Sequence, residues 1–277
     1  MKKLYLLGAL LLLAAGITLF TSCEEITGGE PTSFTIEAAS DTTVKLAWAV
    51  PAEGTPDKYE VYFKALSAAS FTNVTELGNT VFTYTHDPSG STGKYYVAAK
   101  FGSTEYKTDE LSTIPVTGSA VDVYELNAAG NSGYGWGRTD GAKGVYSMTV
   151  ASSAASVDFY LTNFALGFGG TPYKIASPDE APSDSGNAGV PAGSWRINGI
   201  SDPITDPQAP LPKYISGTTY FNFTNVVTYP SYLAVRMPTG SDIYYALIKV
   251  SGLNTTTGTV QVESWFQLIK GLRLIKH

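Results

Sequence analysis

Apolar and polar residues alternate with a period of two along most of the chain, the spacing that puts one face of a strand on a core and the other in water. Residues 43–50 place Val44, Leu46, Trp48 and Val50 on one side and Lys45 on the other. Residues 58–64 set Tyr59, Val61 and Phe63 against Glu60, Tyr62 and Lys64, and residues 94–101 set Tyr95, Val97, Ala99 and Phe101 on one side. A weaker strand is expected over 71–77, and further strands over 80–86 and 105–116. Between 43–50 and 58–64 the run PAEGTPD has turn chemistry, because Pro fixes φ and Gly frees it. That gives about seven strands within residues 33–117, the count of an immunoglobulin-type sandwich.

A second set of strands is expected over 121–126, 145–150, 157–164, 220–227, 232–236, 243–250, 259–266 and 268–275, with GLNTTTG (252–258) as a hairpin loop. No long segment has helical periodicity except 4–20. The fold class is therefore all-β: a first sandwich over 33–117, then a second antiparallel, sandwich-like domain over 118–277. Residues 168–215 interrupt the pattern. Eight of the fifteen prolines fall in 172–212, with Asp179, Glu180, Asp184, Asp202 and Asp206 among them. A stretch of this length in a compact domain is functional or disordered. Its Trp195-Arg196-Ile197 is apolar enough to dock on the sheet, so an ordered surface excursion is expected.

Three blocks of the first domain carry a family resemblance. Leu46-Ala47-Trp48-Ala49-Val50-Pro51, Tyr59-Glu60-Val61-Tyr62 and Tyr95-Tyr96-Val97-Ala98-Ala99 resemble a fibronectin type III domain over roughly residues 31–117. The resemblance implies that Trp48 packs the core and that Tyr95 forms the tyrosine corner. The family's usual turn before that corner is replaced by HDPSGSTG (86–93). Such a likeness speaks to fold and hardly to function.

At the other end of the sequence, Lys2 and Lys3 precede an uncharged apolar run, 4–20, then Thr21, Ser22 and the single cysteine, Cys23. This is the layout of a secretory signal, and the cysteine placement resembles the lipobox of bacterial lipoproteins, with Phe20 where Leu is usual. The resemblance implies cleavage after residue 22, a lipid on Cys23, a polar tether over 23–32, and a place in the bacterial cell envelope at the outer membrane or cell surface. A retained membrane-spanning helix is the alternative for residues 4–20, which sit at the short end of the span range.

Charge and cysteine count narrow the function classes. Without Lys2 and Lys3 the 18 basic side chains fall to 16, against 24 acidic ones, a net charge of −8. That argues against nucleic acid as a partner, which requires cations to neutralise phosphates. With Cys23 alone, disulfides within the chain and thiolate metal sites are excluded.

Catalytic chemistry is sparse. Of the two histidines, His86 shares strand parity with Phe82 and Tyr84, and His277 is expected to fray. Ser91-Thr92-Gly93-Lys94 fits Ser-x-x-Lys in a turn without companion motifs. GNSGYGWGRTDG (130–141) is Gly-rich but lacks the ending of a phosphate loop. Glu60, Asp158 and Glu263 lie opposite apolar faces, where solvated charges belong. Asp179, Asp184 and Asp202 lack the spacing of a calcium loop. No catalytic set, metal or cofactor is expected. Residues 244–250 and 258–266 faintly resemble the ends of all-β haem-scavenging lipoproteins, but that region lacks axial histidines apart from His277.

Tyr134 and Trp136, on the Gly-rich loop, and Trp195 are the candidate ligand-binding residues. Two loop aromatics offer flat faces and polar edges suited to sugar rings or a protein partner; alternatively they fold back and cap the sandwich. The expected function is a lipid-anchored, non-catalytic binding or structural module for a glycan or protein. The alternative is a carbohydrate-active enzyme using loop carboxylates, and a small-ligand scavenger or a purely structural part also fits.

Overall fold

A computed structural model describes residues 28–164, 170–184, 186 and 189–277. Cys23 and the signal-like residues before it lie outside the described residues. The chain is all-β, built as two sandwiches.

The first contains β1 (Thr32–Ala38), β2 (Val44–Ala49), β3 (Lys58–Ala65), β4 (Thr72–Gly78), β5 (Thr83–His86), β6 (Gly93–Phe101), β7 (Thr104–Lys107) and β8 (Leu111–Ser112). One sheet runs β1-β2-β5 and the other β4-β3-β6-β7, with β8 also on β6. All pairs are antiparallel. The alternating residues meet as expected: Val44, Leu46 and Trp48 from β2 pack on Tyr59, Val61 and Phe63 from β3 and on Tyr95, Val97, Ala99 and Phe101 from β6. Trp48 sits edge-on to Tyr59 at 5.6 Å between ring centroids. Tyr95 is buried, but its hydroxyl meets the His86 ring Nδ1 at 2.9 Å rather than a backbone group. Burial lowers the His86 pKa, which suits a neutral ring as the partner of a phenol. Glu60 is not solvated: it is buried, with Lys58 Nζ at 2.8 Å and the Tyr62 hydroxyl donating to it at 2.6 Å.

The second sandwich contains β9 (Val116–Tyr124), β10 (Gly133–Trp136), β11 (Lys143–Tyr146), β12 (Phe159–Thr162), β13 (Tyr173–Ala176), β14 (Gly199–Ile200), β15 (Phe223–Val226), β16 (Ser231–Thr239), β17 (Asp242–Asn254) and β18 (Thr259–Gln267). The sheets run β11-β10-β12-β13-β15 and β14-β16-β17-β18-β9. Their facing sides bury Tyr134, Trp136, Phe159, Ile175 and Val226 against Leu233, Val235, Ile248, Val262 and Phe266.

The Pro-rich excursion is ordered over its described residues and covers the outer faces of both sheets. Ala181, Val190 and Trp195 pack on Met148, Val157 and Tyr160 outside the first sheet. Leu211 and Tyr220 pack on Ala234, Tyr245, Leu247 and Trp265 outside the second. An outer face that reads as solvent-directed in the sequence is thus a second, smaller core.

Residues 268–275, expected to be a strand, are not one. They return to the junction of the two sandwiches. Leu272 and Leu274 are fully buried in the core of the first, while Ile275 joins the outer cluster of the second. Gln267 donates to both Thr113 O and Leu274 O, at 2.9 and 2.8 Å. Arg273 holds Asp41 at 2.9 Å and donates to Leu211 O. His277 does not fray: its ring stacks on Trp265 with centroids 3.7 Å apart.

Candidate functional site

Tyr134 and Trp136 are core residues, not loop aromatics. They lie on β10 and point between the sheets, where the Tyr134 hydroxyl and Trp136 Nε1 both reach Ser264 Oγ on the opposite sheet, at 2.8 and 3.0 Å. Burial pushes the Tyr134 phenol up to about 12. Gly135, between them, is there for close approach. A Cβ on Gly135 would come within 1.9 Å of Ser156 O and 3.0 Å of Asp158 Oδ2, so only glycine lets that segment lie against β10. Gly-Tyr-Gly-Trp is a period-two strand pattern whose small face is covered, and reading it as a flexible loop missed the period.

Asp158 is likewise not a solvated charge. Fully buried beside β12, it holds Arg138 at 2.6 Å and Arg196 at 2.8 Å. It also accepts from Trp136 N at 3.0 Å and Asn198 Nδ2 at 3.3 Å. This network pins the 195–198 stretch, so Trp195 is buried too, its Nε1 donating to Pro191 O at 3.0 Å. None of the three candidate aromatics offers a face to a ligand.

The surface that does so lies where the chain crosses between the two sheets. Phe221 pairs with Ile200 at the edge of one sheet, and two residues later β15 begins pairing with β13 in the other. The crossing opens a groove of about 660 Å³ lined by Asp202, Gly217 and residues 220–225. Phe223 is 40% exposed. Thr224, on the opposite face of β15, is 5% exposed, and its hydroxyl is buried without a hydrogen-bond partner among the described residues. Asn225 is exposed, and Asn222 donates to Glu180 Oε1 at 2.6 Å.

Phe223 also borders a smaller hollow of about 290 Å³ with Phe164, Glu180, Ser183 and Asp184. Asp184 accepts from the Tyr160 hydroxyl, Thr162 Oγ1 and Gly186 N at 2.8–2.9 Å, so its two oxygens are held by the protein itself. The excursion's carboxylates are therefore divided, Asp202 in the groove and Asp184 with Glu180 in the hollow. The sequence signal for the groove was apolar residues on both parities of 220–227, with Phe223 and Val227 facing out. An edge strand of that kind reads as an ordinary buried strand.

No protein-family model matches the chain, and no curated protein matches it. Several solved structures do. The fibronectin type III domain of human collagen XX is 15% identical over 31% of this chain and 93% of its own, with a TM-score of 0.26. A two-domain fibronectin type III segment of chicken tenascin is 10% identical over 81% and 93%, with a TM-score of 0.27. Pectate lyase PelI from Erwinia chrysanthemi, in complex with tetragalacturonic acid, is 17% identical over 31% of this chain and 28% of that one, with a TM-score of 0.26. The fold assignment rests on the strand order and register given above.

Proposed function

We propose that the chain is a lipid-anchored, non-catalytic binding protein of the bacterial cell envelope that holds a saccharide in the groove along residues 220–225. The exposed ring of Phe223 carries this reading: it lines the groove with Asn225 on the same face of β15. Asp202, Asn222 and Asn225 supply further donors and acceptors beside the aromatic faces of Phe221 and Phe223. Few convergent polar groups among apolar walls is the usual composition of a small-ligand site, and a sugar presents both kinds of surface.

A glycan array probed with the full-length protein in detergent tests the site. Wild type is expected to give a signal that Phe223→Ala and Asn225→Ala each reduce about tenfold, the size of one well-placed contact. A blank array, or signal unchanged in both variants, overturns the saccharide reading in favour of a protein partner or a structural role.

The anchor is supported by the basic start, the apolar run 4–20 and Cys23. In a bacterial host, mass spectrometry is expected to find wild type beginning at a lipid-bearing Cys23 and Cys23→Ala unlipidated. A mature N-terminus elsewhere in wild type overturns it. The first sandwich then serves as a spacer.

A further inference from the structure

The chain has four arginines. Arg138 and Arg196 hold Asp158, and Arg273 holds Asp41. Among the described residues the Arg236 side chain has no carboxylate within ion-pair distance and no hydrogen bond, and its Nε is buried without a partner. On a chain with 24 acidic and 18 basic side chains, a buried guanidinium nitrogen without an acceptor among the described residues is a costly arrangement. What it has is a ring. The guanidinium carbon lies 4.1 Å from the centroid of Tyr214, which is 44% exposed.

The stack adjoins the groove. Tyr214 is 6.4 Å from Tyr220, a groove residue. Gly199, the strand partner of Arg236, lies directly under Tyr220, where a Cβ would come within 2.8 Å of the tyrosine's own. Burial pushes the Tyr220 phenol up, and Arg273 and Arg236 act against that shift, as nearby positive charge must. Exposed Lys213, beside Tyr214, also lacks an ion pair among the described residues.

Resting on the saccharide reading above, we infer that the ligand is an acidic saccharide whose carboxylate is received by Arg236 where it stacks on Tyr214. With one guanidinium face covered by a ring, recognition falls to the in-plane N–H groups, and a carboxylate matches that edge with two oxygens. Asp202, inside the groove, disfavours a carboxylate there and so directs the acid group toward the arginine end.

Calorimetry on the full-length protein in detergent tests this with three probes: an oligoglucuronate, its methyl ester of equal length, and an acidic peptide. Wild type is expected to bind the oligoglucuronate roughly tenfold or more tighter than the ester. Arg236→Gln removes that preference while keeping ester binding, Arg236→Lys restores part of it because charge returns without the planar fork, and melting temperatures confirm that both variants are folded. Equal binding of acid and ester, lost in Phe223→Ala, overturns the acid preference and leaves the saccharide groove standing. Binding of neither sugar overturns both. Arg236-dependent binding of the peptide without the sugars overturns the inference and makes this a peptide site.

Discussion

Replacing Asp158 with alanine is expected to cost about 3–5 kcal/mol, the loss associated with removing one partner of a buried ion pair. The carboxylate is fully buried, and Arg138 and Arg196 both point into the site it fills. Without it two guanidinium groups face each other in a partly desolvated site, and Trp136 N and Asn198 Nδ2 lose an acceptor. The damage spreads because Asp158 ties three parts of the second sandwich together: β10, the turn carrying Arg138, and the 195–198 stretch that covers the outer face. Asp158→Asn keeps the shape and one acceptor, so it should lose less. Urea melts of the three proteins measure this. A loss below about 1 kcal/mol for the alanine variant, the range of a surface pair, would mean that the network is solvated and the excursion held by packing alone.

Leu274→Ala is expected to destabilise the first sandwich, although residue 274 follows every strand of the second. Fully buried Leu272 and Leu274 complete a core whose other buried members all come from residues 44–101. Truncating a buried leucine costs roughly 2–5 kcal/mol through lost burial and the cavity left behind, on the order of 10 °C in Tm for a chain of this size. The measurement is a melt followed by hydrogen exchange. Protection should fall at Val61 and Val97, in β3 and β6, as well as at the junction. If only the second sandwich loses protection, the tail is a passive cover and the two cores are independent. Arg273, holding Asp41 of the first sandwich and donating to Leu211 O of the second, points the other way.

The site was less legible than the fold. Tyr134, Trp136 and Trp195 attracted notice because aromatics in Gly- and Pro-rich sequence look exposed. Composition carries no sign of what covers a segment, and here β18, the Ser156–Asp158 segment and the Pro-rich excursion cover all three. Thr224, Phe223 and Arg236 sat inside stretches that read as plain strands. Their interest lies in what the assembled neighbourhood leaves open among the described residues: a buried hydroxyl without a partner, a half-exposed ring and a guanidinium without a carboxylate.

By itself the sequence determined the all-β class, most of the strands in the first sandwich, and the parity of its core residues, because period-two alternation is a local property enforced by the pleat. It also determined the net charge and the cysteine count, and with them the exclusion of disulfides within the chain. Only the tertiary structure decided that Asp158 is buried rather than solvated, that the excursion wraps two outer faces, and that Leu272 and Leu274 belong to a core formed more than 150 residues earlier in the chain. Each of these depends on contacts between segments far apart in sequence, and no local period records which distant surface a residue will meet.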